Sequence, residues 1–179
     1  MDTEDPLRTA YDEAEIPEEV EQHFTEVLQR QAHPVIWHRL PPEVAEDYWR
    51  ELDRWVTWLR TTFALPPAVL PPMWHRHSEL VWELAALHGR FHDCYKPSAD
   101  PSGPIAWMQD FAHSRERLRE WVAISGTRMD RDRPTRQTIW PGEHPQPVSK
   151  ETTVINRADD FEAFVVADVA ARIADGDDR

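Results

Sequence analysis

Ser78-Glu79-Leu80-Val81-Trp82-Glu83-Leu84-Ala85-Ala86-Leu87-His88-Gly89-Arg90-Phe91-His92-Asp93-Cys94-Tyr95 decides the fold class. Leu80, Leu84, Leu87 and Phe91 recur at the spacing that places side chains on one face of an α-helix. Ser78 or His77 starts this helix, and Pro97 stops it near Tyr95 or Lys96 because a residue before proline avoids the helical region. Trp82 projects from the opposite side.

The same period runs through the flanking segments. Pro42-Glu43 opens a helix that reaches Phe63. Its Trp49, Leu52, Trp55, Val56, Leu59 and Phe63 share one broad stripe at about 100° per residue, and Trp58 falls nearly opposite. Pro104 begins another helix, with Trp107, Phe111, Leu118, Trp121 and Val122 on one side and Arg115, Glu116, Arg117, Arg119 and Glu120 on the solvated one. Gly126 is placed to cap it. A further helix spans Asp159 to Ile173, carrying Phe161, Phe164, Val165, Val169 and Ile173. Upstream, Pro17-Glu18-Glu19-Val20 opens a helix running to about Gln31.

The segments between read differently. Residues 65–72, Leu-Pro-Pro-Ala-Val-Leu-Pro-Pro, form a stiff connector that is neither helix nor central strand. Residues 127–150 are rich in Arg, Thr and Pro and read as a long irregular loop, and Thr152-Thr153-Val154-Ile155 as a short strand or extended chain. The domain reading is an acidic flexible start over 1–16, a helical core over 17–126, the loop over 127–150, a C-terminal helical appendage over 151–174 and a flexible tail over 175–179. The fold expected is all-α, a compact bundle of four to five helices with Pro-rich connections and disordered acidic termini. Its core should hold Leu52, Trp55, Leu59, Leu84, Leu87, Phe91, Phe111, Leu118 and Trp121.

Composition narrows the function. A net charge of -13 in 179 residues opposes general contact with nucleic-acid phosphates or an anionic membrane. No apolar run approaches the roughly 20 residues that span a bilayer. The single cysteine, Cys94, excludes an internal disulfide and suits a reducing cytoplasm. The start, Met1-Asp2-Thr3-Glu4-Asp5, is acidic where a secretory signal is basic. With only 5 glycines there is no phosphate-cradling or dinucleotide loop, and no nucleophile elbow is present. Cys94 does not face His92 across a helix turn. No catalytic residue is assigned.

Three groups of residues remain as candidate sites. His88 and His92 project from adjacent turns of one helix face, with His77 close to the same line three turns earlier. Imidazoles at i and i+4 are a sound pair of ligands for zinc or another divalent transition metal. The run is His-Gly-Arg-Phe-His rather than His-Glu-x-x-His, so further ligands have to come from His75, His113 or Cys94. The plainer reading makes these histidines polar edges of the core, bonded to backbone or carboxylates. Trp58 and Trp82, two of nine tryptophans, are either buried in a helix sandwiched between layers or exposed anchors for a partner. Arg131, Arg133 and Arg136, with Arg128, form a basic cluster suited to phosphate or carboxylate, but Asp130 and Asp132 interleave; a solvated loop is the plainer reading.

Pro72-Met73-Trp74-His75-Arg76-His77-Ser78-Glu79-Leu80, then Glu83-Leu84-Ala85-Ala86-Leu87, resembles a family of small proteins encoded by actinobacterial plasmids and phages, in which a Trp and a His precede a helix of similar Leu-Ala-Leu pattern. Trp107-Met108-Gln109-Asp110-Phe111 with Arg115-Glu116-Arg117-Leu118-Arg119-Glu120-Trp121 is similar to the family's next helix. The resemblance covers about residues 35–126. It implies a mobile-element origin and brings no catalytic residue. Where the family places a Gly-Cys pair this chain has Gly126-Thr127, so no thiol role is carried over. The leading expectation is therefore a non-enzymatic, cytoplasmic accessory protein of a phage or plasmid acting through a protein partner or self-association. A metal-binding protein or metal-dependent enzyme using His77, His88 and His92 is the first alternative. A DNA-associated regulator using the 128–136 loop is the second, disfavoured by charge.

Overall fold

Proline at position 42 has no amide hydrogen to leave unpaired in a first helical turn, and here it sits in the opening turn of α1, Pro42–Thr62. The computed structural model describes residues 35–144 and 150–177, the side chains only as far as Asp175. The acidic start over 1–16 and the helix expected over 17–31 lie outside the described residues, as do 178–179.

Three more α-helices follow among the described residues: α2 over Ser78–Tyr95, α3 over Gly103–Ile124 and α4 over Arg157–Asp177. Short 3-10 turns cover Trp37–Arg39 and Trp74–Arg76. The only strand pairing described is two residues long on each side, Arg131–Asp132 antiparallel to Thr152–Thr153. The fold is all-α. Helix α3 packs along α2, α2 against α1, and α4 against α1, with the Trp74–Arg76 turn touching both α2 and α4. No helix among the described residues is long and apolar enough to cross a membrane.

The predicted stripes make the core. Leu52, Leu59, Leu80, Leu84 and Leu118 are wholly buried, and Trp49, Trp107 and Phe111 nearly so. Removing that apolar surface from water is the main stabilising term, at about 25 cal/mol per Å². Trp49 is the hub where α1 meets α4. Its ring lies edge-on to Trp37 (4.4 Å) and Phe164 (5.4 Å), and its indole N–H donates to Asp168 Oδ2 at 2.9 Å. The helix read from sequence as an appendage thus holds one wall of the core, through Phe161 and Val165. It also runs further than the predicted Asp159–Ile173, and Ile173 is exposed.

Two core expectations need correction. Trp121 is 39% exposed. Near the end of α3 it faces a shallow surface hollow shared with Trp82 and Glu83. Phe91 is only partly buried, packed against the core edge. The Pro-rich connector contributes what sequence patterning missed. Val69 and Leu70 donate their amides to Pro66 O at 2.8 and 3.0 Å, and this turn buries Leu65, Val69 and Leu70.

Helix ends follow local rules with two departures. After α1, Ala64 takes a left-handed φ of 48°, and Leu65 N–H bonds back to Arg60 O at 3.0 Å. This is the bonding of a Schellman end with alanine where glycine is preferred. Gly126 is not the cap of α3; Ser125 holds that place, its amide bonded to Trp121 O. Glycine at 126 instead lets the Arg133 side chain pass, since a Cβ there would lie 1.8 Å from Arg133 Cγ.

Candidate metal-binding site

Helices α1 and α2 bring three ligand-type side chains together. His88 and His92 lie one turn apart on α2, and their Nε2 atoms approach to 2.7 Å. Glu51 of α1 faces them, its Oε1 3.6 Å from His88 Nε2 and 3.7 Å from His92 Nε2. One ligand atom from each residue fits within a span of 4.8 Å. His88 is buried; Glu51 and His92 are half-buried, so one side opens to solvent.

Aromatic rings surround the group. Trp55 stands 5.0 Å from the His88 ring, Tyr48 6.2 Å from it, and Phe91 5.8 Å from His92. In that setting burial, then the charge of His92, drives the His88 imidazole down to about 3, and burial lowers His92 also. Burial, then Glu51, raises Tyr48 to about 12. Both imidazoles are therefore neutral near pH 7, which is the ligating form. One ring nitrogen of the pair donates to the other.

The spacing suits a metal with small adjustment. A metal–nitrogen bond of about 2.1 Å in tetrahedral geometry separates two ligand atoms by roughly 3.4 Å. The Glu51 distances already match; the imidazole pair has to open by about 0.7 Å, exchanging its hydrogen bond for two coordinate bonds. Three protein ligands leave a fourth position for water or another donor. His88 Nδ1 is buried without a hydrogen-bond partner. The outer-shell bond that usually orients a ligating imidazole is thus missing on one ligand, which weakens such a site by about 10- to 100-fold.

The structure does not bring His77 to this pair. Its ring is wholly buried at the head of α2, with Nε2 2.7 Å from Asp132 Oδ1 and Nδ1 3.0 Å from Thr135 Oγ1. His75 also lies elsewhere, Nε2 on Asp160 Oδ2 at 2.9 Å, and Arg76 grips the same carboxylate. Neither His113, which is exposed, nor Cys94 joins the group; the third donor is Glu51. Nothing in the sequence singles out Glu51 among 33 acidic residues, because only the packing of α1 on α2 brings it opposite the histidines.

The other candidates are scattered. Trp58 and Trp82 are 40% and 43% exposed. Trp58 lies against Phe91 at 5.2 Å on the rim of the aromatic wall, whereas Trp82 neighbours His38 at 6.0 Å. Arg131 pairs with Asp130 and Glu151, Arg133 lies over Gly126, and Arg136 is exposed. Asp132, one of the interleaved acids, is turned inward to His77.

Comparison with family models, with curated proteins and with solved structures returned no match for this chain.

Proposed function

We propose that this protein binds a divalent first-row transition ion, zinc in the simplest case, through Glu51, His88 and His92. One observation carries the reading: two neutral imidazoles and a carboxylate from two packed helices converge within ligand distance of one another. Two imidazoles with one carboxylate and an open position form a donor set that suits zinc or iron(II). The lone thiol, Cys94, supports a reducing cytoplasm as the compartment.

The test is equilibrium dialysis of the full chain against zinc, followed by elemental analysis, in parallel with Glu51→Gln and His92→Ala. The expected result is about one zinc per chain, with at least tenfold weaker binding in each variant. Nickel should also quench tryptophan emission, since Trp55 lies beside His88. Zinc uptake unchanged in both variants, or no uptake at all, would refute the proposal.

A second reading keeps the expectation of a phage- or plasmid-encoded accessory protein that works through protein contacts. Its support is the exposure of Trp58, Trp82 and Trp121, since half-exposed indoles are frequent anchors of interfaces. Affinity capture by the wild-type chain and by Trp82→Ala tests it. A specific partner lost in the variant supports the reading, and identical capture by both refutes Trp82 as an anchor.

A further inference from the structure

A second cavity, sharing no residue with the histidine pair, lies between the C-terminal half of α1 and the Pro-rich connector. Its volume is about 340 Å³. Val56, Leu65, Leu70 and Trp74 make apolar walls, and Met129 of the long loop also lines it. The connector that builds one side is stiffened by four prolines between residues 65 and 72, so the hollow is held open by covalent geometry. An apolar pocket of this size with few polar groups has the general form of a small-molecule site.

Two arginines touch the cavity, and their states differ. Arg157 is committed: its guanidinium is bound to both Asp53 oxygens and to Pro72 O, and it lies over the Phe161 ring at 4.8 Å. Arg60, in the last turn of α1, is exposed, and among the described residues its side chain has no hydrogen bond or ion pair. In a chain of net charge -13, where half of the other described arginines have found a carboxylate, an unpaired guanidinium beside an apolar hollow is suited to an incoming anion.

We propose that this cavity binds a small apolar carboxylate, its body against Trp74, Leu70 and Val56 and its head group on Arg60. The charge of the ligand follows from the position of Arg60. A phosphate dianion is favoured where several cations or a helix N-terminus converge. Arg157, at the start of α4, is already neutralised by Asp53, and Arg60 lies near the C-terminal, negative end of α1, so the free positive charge at the cavity balances one negative charge. Size follows from volume: at about 30 Å³ per non-hydrogen atom the hollow holds roughly eleven such atoms. A straight-chain eight-carbon acid fits that measure.

The probes are octanoate and octan-1-ol, titrated into the full chain by calorimetry. The experiment is run with chelator present, so that failure of the metal proposal does not affect the outcome. Expected are saturable 1:1 binding of octanoate, a loss of about tenfold in Arg60→Gln, and no effect of that substitution on octanol. Thr57→Trp, at an exposed lining position, should block both ligands while leaving the core intact. Absence of saturable octanoate binding, equal affinity in Arg60→Gln, or displacement of octanoate by millimolar inorganic phosphate would each overturn the proposal. So would a concentration-dependent dimer of the wild type that Thr57→Trp abolishes, which would assign the hollow to a second copy of the chain.

Discussion

Trp49→Ala tests whether α4 belongs to the folding unit. Trp49 is buried by Trp37, Trp74, Phe161 and Phe164, and it alone joins α1 to Asp168 by hydrogen bond. Replacing a buried Trp by Ala costs about 3–5 kcal/mol through lost transfer energy and the cavity left behind. A hydrogen bond to a charged group contributes about 1.5–3 kcal/mol. Its loss should cost near the lower end, because Asp168 keeps Arg172 at 2.7 Å and is not left unpaired. The expected total is about 4.5–6.5 kcal/mol, comparable with the whole stability of a small domain at about 5–15 kcal/mol. Trp49→Phe keeps most of the volume and loses the N–H, so about 2 kcal/mol is expected. Urea unfolding followed by circular dichroism measures both, and hydrogen exchange locates the effect. In the Phe variant, amides of α4 should exchange faster while those at the α2–α3 contact stay protected. A loss below about 1 kcal/mol in Trp49→Ala at unchanged m-value would refute α4 as a core element.

Three further outcomes are expected. Burial pushes the His75 imidazole down to about 4, so its stabilising effect is complete above the unfolded value of 6.5 and is lost as pH falls toward 4. Burial also pulls on His77, but its bond to Asp132 and the Glu79 carboxylate 3.7 Å away outweigh this and raise it to about 9, so its effect is complete below 6.5 and is lost as pH rises toward 9. At about 1.4 kcal/mol per unit each limb amounts to roughly 3 kcal/mol, giving a urea midpoint that peaks near pH 6.5. A midpoint that climbs steadily from pH 6.5 to 9 contradicts the His77 assignment, and Asp132→Asn should flatten that limb. Gly103→Ala should destabilise by about 1–3 kcal/mol, because the new Cβ would lie 2.5 Å from the Cys94 carbonyl oxygen and backbone has to move; a thermal midpoint equal to wild type would count against the close approach of α2 and α3. Ala64→Gly should stabilise by roughly 0.5–1 kcal/mol, since glycine takes the left-handed cap without the Cβ penalty; destabilisation measured by urea titration would show that the end of α1 is not so closed.

The helices of the described region were legible because each carries its own instruction. The period of Leu80, Leu84, Leu87 and Phe91, the proline at 42 and the proline at 104 act within a few residues, so no distant contact is needed to read them. Helix ends were less legible. Gly126 has the composition of a cap, but its function depends on Arg133 passing over it. Trp121 carries the core period and still faces solvent, because a stripe tells which residues share a face and not whether another helix covers it.

The candidate site divides in the same way. By itself the sequence determined the His88–His92 pair, because four residues on a helix bring two imidazoles to one face whatever lies around them. It also determined the all-α class and the acidic exterior. Only the tertiary structure decided that Glu51 joins that pair, that His77 and His75 are drawn off to Asp132 and Asp160, and that Arg60 is left without a partner. Those outcomes depend on which helices meet and at what register. Such contacts join residues more than thirty positions apart, and the local spacing of side chains carries no record of them.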